Sequence, residues 1–107
     1  IPKKAEPQSV EYDPLKLYYL EKLIKDCKER GIHLVFVVSP EYFHYDSISY
    51  SPLISLCKQY NVPFVDKSAD EQFIGHSNLF IDSLHMNYWG ATEWSQYIVN
   101  YIKEYDI

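Results

Sequence analysis

Residues 32–39 read I-H-L-V-F-V-V-S, a nearly continuous apolar run broken only by His33. A strand with one wet face alternates apolar and polar side chains, whereas a run apolar at successive positions is a strand buried on both faces, as in parallel sheets. Parallel neighbours cannot be joined by a tight hairpin and need a crossover, most often a helix. The run therefore commits the chain to an α/β fold, and the segments around it fit. Before it, Asp13-Pro14 supplies an N-cap and a proline at the first helical position, and Gly31 a stop. Between them Leu17, Leu20, Leu23, Ile24 and Cys27 mark one helical face, with Lys and Glu opposite.

Pro40 ends the strand, and a loop, E-Y-F-H-Y-D-S-I-S-Y, leads to Ser51-Pro52, which begins a second capped helix through Leu53, Ile54, Leu56, Cys57 and Tyr60. Asn61 is its left-handed stop, and Val62 to Val65 form a second short strand. The unit is βαβ with a right-handed crossover. Lys67 to Asn78 reads as polar loop, Leu79 to Ile81 as a short extended piece, and Tyr88 to Tyr105 as the last helix. Ile1 to Tyr12 has little periodicity and reads as a linker or N-terminal arm, with the α/β domain spanning 13–107. Two or three strands make a small sheet. Val35 to Val38 needs neighbours on both edges, so further strands N-terminal to Ile1 or a second chain are expected to pair with the open edge.

Composition narrows the function classes. Of 107 residues 47% are hydrophobic and 17% aromatic, which excludes a disordered tail. A net charge of −5 argues against a nucleic-acid surface, which needs a basic stripe. The longest apolar run is far too short to span a bilayer. The start at Ile1 rather than Met, with no signal peptide, reads as a processed protein or a fragment. The compartment is left open. Cys27 and Cys57 sit among apolar residues at helical spacing and read as buried thiols rather than a disulfide.

Ligands of open α/β sheets collect at the carboxyl ends of the strands, where the loops 39–50 and 66–87 land. The second contains Asp82 and His85 within L-F-I-D-S-L-H-M-N-Y-W-G-A-T-E-W-S, residues 79–95. In a tight turn, side chains three apart can share a side. The Asp82 carboxylate would then accept the Nδ1 proton of His85, fix its tautomer and leave Nε2 as a general base. The plainer alternative is an aspartate that caps a turn and a histidine that satisfies a loop carbonyl. Asn87 reads first as the N-cap of the last helix and second as a substrate contact. His44, in an aromatic loop at the same edge, is a candidate substrate contact beside the reading of a packed surface loop. Gly90 and Ala91 allow close helix packing, and Trp89, Trp94, Tyr97, Ile98, Tyr101 and Ile102 are spaced for a buried helix face. His76, Asp82 and His85, with His44, offer metal-ligand types, but no H-E-x-x-H or paired-cysteine spacing accompanies them, so no metal is expected. There is no phosphate-binding or dinucleotide fingerprint, and no cofactor is expected.

Asp82, His85, Asn87, Gly90 and Ala91 together resemble the C-terminal block of the SGNH (GDSL-like) hydrolase superfamily, which carries Asp-x-x-His just before its last helix, often followed by Asn and Gly-Ala. The resemblance covers about Asp13 to Tyr105, with its specific part in Asp82 to Ser95. It implies a flavodoxin-like three-layer α/β/α sandwich, of which this chain holds the C-terminal portion. It also implies serine esterase or O-acyltransferase chemistry on an O-acylated small molecule or carbohydrate, in a secreted or cell-envelope setting. His85 is then the base and Asp82 its orienter. The family's Gly-Asp-Ser and Gly-x-Asn-Asp blocks are absent from these residues, so the nucleophile and most of the oxyanion hole are expected elsewhere. Ser39 ends a strand at the right edge, but Pro40 removes the following amide, and Ser39 reads as a strand-end residue. The chain alone is expected to be inactive. Two rival readings stand beside this one: a non-catalytic α/β module for binding or assembly, and a degenerate hydrolase domain that has lost its serine.

Overall fold

A computed structural model describes residues 13–43 and 50–107. The elements run α1 (Pro14–Glu29), β1 (Phe36–Val38), α2 (Ser51–Tyr60), β2 (Phe64–Asp66), a 3-10 turn (Ser77–Leu79) and α3 (Tyr88–Tyr105). The two strands form a parallel sheet in the order β1-β2. Its register is set by the Phe36 amide donating to the Pro63 carbonyl at 3.0 Å and the Lys67 amide to the Val38 carbonyl at 3.0 Å. The chain is thus α/β, as the apolar run requires. The expected arm at residues 1–12 and the loop histidine His44 lie outside the described residues.

The helix boundaries follow the predicted signals closely. Asp13 caps α1 through its carboxylate, which accepts from the Leu15 amide at 2.8 Å, with Pro14 next in the first turn. At the other end Gly31 takes φ +67, and the Ile32 amide reaches back to the Cys27 carbonyl at 2.8 Å. Asn61 ends α2 the same way at φ 56, with the Val62 amide on the Cys57 carbonyl at 2.8 Å. Ser51, expected as the α2 cap, lies inside the helix, whose N-cap is Tyr50.

The strands differ from expectation in length and burial. The run 32–39 pairs only over Phe36–Val38, and the predicted strand at Val62 to Val65 shifts to Phe64–Asp66. The cause is local, because Ile32 and Val62 spend their amides on the helix ends before them and enter the sheet late. Residues of β1 are half-buried rather than buried on both faces, since among the described residues each strand has a single partner. In place of a short extended piece at Leu79 to Ile81, the 3-10 turn ends at Leu79 and Phe80 forms an isolated antiparallel bridge with Met86.

The described residues divide into two compact units, and the division falls within the strands. In the unit holding residues 13–37 and 50–65, α1 and α2 bury Ile24, Cys27, Leu56 and Cys57, with Val65 of β2 also buried. Both cysteines are free. The unit holding residues 38–43 and 66–107 has a core of Tyr42, Phe73, Leu79 and Phe80, with Phe43, Met86, Trp94 and Tyr97 packed against it. Phe73 is fully buried and meets Trp94 and Tyr97 in T-shaped contacts, at ring-centroid distances of 5.8 Å and 5.7 Å. Trp94, Tyr97, Ile98, Tyr101 and Ile102 are half-buried, as the helical spacing predicts, but Trp89 is 66% exposed. At ~3.6 residues per turn it lies on the side of α3 away from Trp94, Tyr97 and Tyr101, while its neighbour Gly90 is the buried residue of that first turn. Among the described residues no helix is long and apolar enough to cross a membrane.

Candidate functional site: an aspartate-histidine pair at a loop tip

Residues 79–87 form a narrow loop whose two arms are held together before α3 begins. The Asn87 amide donates to the Leu79 carbonyl at 3.0 Å, and the Ile81 amide to the His85 carbonyl at 2.8 Å. Asn87 caps α3, its Oδ1 accepting from the Gly90 amide at 2.9 Å, while its Nδ2 donates to the Asn78 carbonyl at 2.8 Å. Both ends of this amide are therefore engaged in fixing the loop to the helix. Gly90 closes the joint, because a Cβ there would run into the Leu79 carbonyl oxygen and would lie 3.1 Å from the Met86 Cβ. The glycine is required for space, not for an unusual backbone angle.

Asp82 and His85 stand at the tip of this loop. Asp82 Oδ1 accepts from the Leu84 amide at 2.8 Å and from the His85 amide at 2.7 Å, an Asx turn that folds the chain back on the aspartate. The same turn brings the imidazole over the carboxylate, with Nδ1 at 2.9 Å from Oδ1 and 3.0 Å from Oδ2. An ionised carboxylate can only accept, so Nδ1 carries the proton. Nε2 is then the unprotonated nitrogen of the neutral ring, and among the described residues no hydrogen bond engages it. The side chains are 73% and 55% exposed for His85 and Asp82. The two backbone amides and the histidine ring hold the Asp82 carboxyl below its ordinary value, the Leu84 amide contributing most.

The loop is also placed relative to the sheet. The chain leaving β1 returns a hydrogen bond to it, from the Tyr42 amide to the Ser83 carbonyl at 3.2 Å, and the Gly75 amide donates to the Tyr42 carbonyl at 3.0 Å. The chain leaving β2 is tied in through the Glu41 amide on the Ser68 carbonyl at 3.5 Å. Ser68 is itself fastened to Asp66, whose Oδ1 accepts from its hydroxyl at 2.7 Å. The pair thus lies on the chain that follows the carboxyl end of β2 and is tied to the chain that follows β1. Ser83, between the two, is buried and serves this anchoring.

Of the other predicted participants, His76 has its Nε2 at 3.1 Å from the Glu71 carbonyl. Among the described residues no three His, Cys, Asp or Glu side chains converge as a metal site. Ser39 is exposed beside the fully buried Pro40. What sequence reasoning missed was the role of Ser83 and Tyr42 in locating the loop. The double use of the Asp82 carboxylate was accessible, since Asp followed by amides two and three residues on is an Asx-turn signature. Comparison with protein families, with curated proteins and with solved structures finds no match to the chain.

Proposed function

We propose that Asp82 and His85 are the orienting acid and the general base of a serine esterase or O-acyltransferase of SGNH-like type. Its nucleophilic serine and oxyanion donors are supplied by polypeptide outside these 107 residues. The observation that carries the reading is the imidazole pinned through Nδ1 to both oxygens of one carboxylate, on a largely exposed side chain in the loop that follows β2. The order strand, helix, strand, loop, helix supports the C-terminal portion of a flavodoxin-like sandwich, whose remaining strands would pair with the open sheet edge.

In this mechanism Nε2 takes the serine hydroxyl proton as the oxygen attacks the ester carbonyl of an O-acylated small molecule or carbohydrate. Asp82 stabilises the imidazolium so formed. The C–O bond of the tetrahedral intermediate breaks, the leaving alcohol receives the proton from Nε2, and an acyl-enzyme remains. Water, or an acceptor alcohol in a transferase, repeats the sequence in reverse and frees the serine. Asn87 takes part by starting α3 beside the pair.

A second reading, a non-catalytic assembly module, draws on α1. Leu15 and Tyr19 are each 58% exposed, and Leu23, a further turn along, is also exposed. These residues recur every four positions and form an apolar ridge open to solvent. The readings part on His85. In a protein carrying both this chain and the serine, His85→Ala should lower ester turnover about 10⁴-fold or more. A loss of only about threefold would remove His85 from the chemistry and favour assembly. The 107-residue chain alone should not hydrolyse p-nitrophenyl acetate above the buffer rate.

A further inference from the structure

From Trp94 to its C-terminal end, α3 carries a column of rings. Trp94 stacks on Tyr97 (centroids 5.6 Å apart, planes 22°), Tyr97 on Tyr101 (6.4 Å, 17°), and Tyr105 tilts onto Tyr101 at 4.6 Å. The spacing of three, four and four residues places all of them on one side of the helix. Tyr105 ends the column and is 58% exposed.

The column is held from the neighbouring loop. The Tyr97 hydroxyl donates to Asp70 Oδ2 at 2.7 Å, while Asp70 Oδ1 accepts from the Gln72 amide at 2.9 Å. Lys67 lies over the Tyr101 ring with Nζ at 4.3 Å from its centroid. Burial works against the Lys67 ammonium, but the Tyr97 hydroxyl, Tyr101 and Asp70 outweigh it and raise its pKa above the ordinary 10.5. The charge is kept. Among the described residues no carboxylate forms an ion pair with it within salt-bridge distance. Between these groups is a depression of about 290 Å³, lined by Lys67, Tyr97, Asn100, Tyr101, Glu104 and Tyr105. Asn100 is oriented by its neighbour, its Oδ1 accepting from Gln96 at 3.1 Å, which leaves its Nδ2 as a donor.

We propose that this depression, walled by Tyr101 and Tyr105 and edged by Lys67, Asn100 and Glu104, binds a neutral pyranose ring. The volume is that of a small ligand site, near the lower end of the usual range. The lining pairs an apolar ring face with a cation, an amide and a carboxylate, and a sugar ring pairs an apolar face of C–H groups with an edge of hydroxyls that both donate and accept. Other classes fit less well. Lys67 repels cations, Glu104 and the net charge of −5 repel phosphates, and three polar side chains at the edge are unsuited to a lipid chain. Rings fixed by stacking and by Asp70 before any ligand arrives lose little freedom on binding. The site is independent of the Asp82–His85 chemistry, since Tyr101 stands thirteen residues, about 20 Å of helix, beyond Tyr88.

The test is a ¹H–¹⁵N correlation titration of the 107-residue chain with chitotriose and with cellotriose, alongside trigalacturonate. The expected result is binding of at least one neutral trimer with a Kd of about 1 mM. Shift changes should be confined to Lys67 and residues 97–105. The exposed ring in Tyr105→Ala should weaken binding at least about tenfold, while Tyr88→Ala, at the other end of the helix, leaves it unchanged. Absence of shift changes with both neutral trimers, changes centred elsewhere, or wild-type affinity in Tyr105→Ala would overturn the assignment. Tighter binding of trigalacturonate than of either neutral trimer would overturn its neutral character.

Discussion

One oxygen of Asp82 accepts the backbone amide of His85 at 2.7 Å and stands 2.9 Å from the Nδ1 of the same residue. A single carboxylate thus sets both the path of the chain at His85 and the orientation of its ring. The coupling explains how an exposed side chain at a loop tip can be held in one pose.

The depressed Asp82 carboxyl gives this coupling a pH signature. Because the folded value lies below the ordinary 3.8, the turn contributes to stability above that pH and loses the contribution as pH falls through the folded value. A ¹³C titration of the Asp82 carboxyl should give a midpoint below 3.8. The Leu84 and His85 amide shifts should move with the same midpoint. A midpoint at or above the ordinary value would mean that the two amides and the ring do not face the carboxylate in solution.

Gly90 offers a test whose sign decides between two effects. In a helix with open space around it, glycine to alanine stabilises by about 1 kcal/mol. Here the added methyl would meet the Leu79 carbonyl and the Met86 Cβ, and relieving that contact should cost about 1–3 kcal/mol. Urea unfolding of Gly90→Ala should show lower stability than wild type. Equal or greater stability would place α3 further from the loop than described.

Tyr97 joins α3 to the loop after β2 across 27 residues of sequence, through its hydroxyl on Asp70. Removing that hydroxyl in Tyr97→Phe should cost about 1 kcal/mol. Burial, and then the bond to Asp70, raise the Tyr97 pKa above 10.0, so the neutral phenol is the form the fold favours. The difference between wild type and variant should be fully present at neutral pH and fade as pH rises through the raised value. Chemical denaturation at neutral and strongly alkaline pH checks both parts, and a difference that grew with pH would contradict the assignment.

Much of this organisation was legible in the residues because the signals are local. Asp13-Pro14, Gly31, Asn61 and Asn87 each act within one turn of chain, and each stands where its capping chemistry predicts. The spacing of Asp82 and His85 is local in the same sense, and the turn that unites them closes within four residues. Strand length was not legible, because it depends on where the partner begins. Ile32 has the composition of a strand residue, yet its amide is claimed by the Cys27 carbonyl. The tether from Tyr42 to Ser83 and the bond from Tyr97 to Asp70 join residues distant in sequence, and no periodicity announces such pairs. Trp89 was misplaced by composition, since at ~3.6 residues per turn it lies away from the side of Trp94, Tyr97 and Tyr101, and it is exposed.

The central claim is that Asp82 holds the His85 ring protonated at Nδ1, with Nε2 open as a base, and long-range ¹H–¹⁵N spectra of the imidazole test it most directly. At a pH where the ring is neutral, wild type should show Nδ1 as the protonated, pyrrole-type nitrogen, and Asp82→Ala should lose that preference. A neutral ring protonated mainly at Nε2, or a tautomer unchanged by Asp82→Ala, would contradict the account.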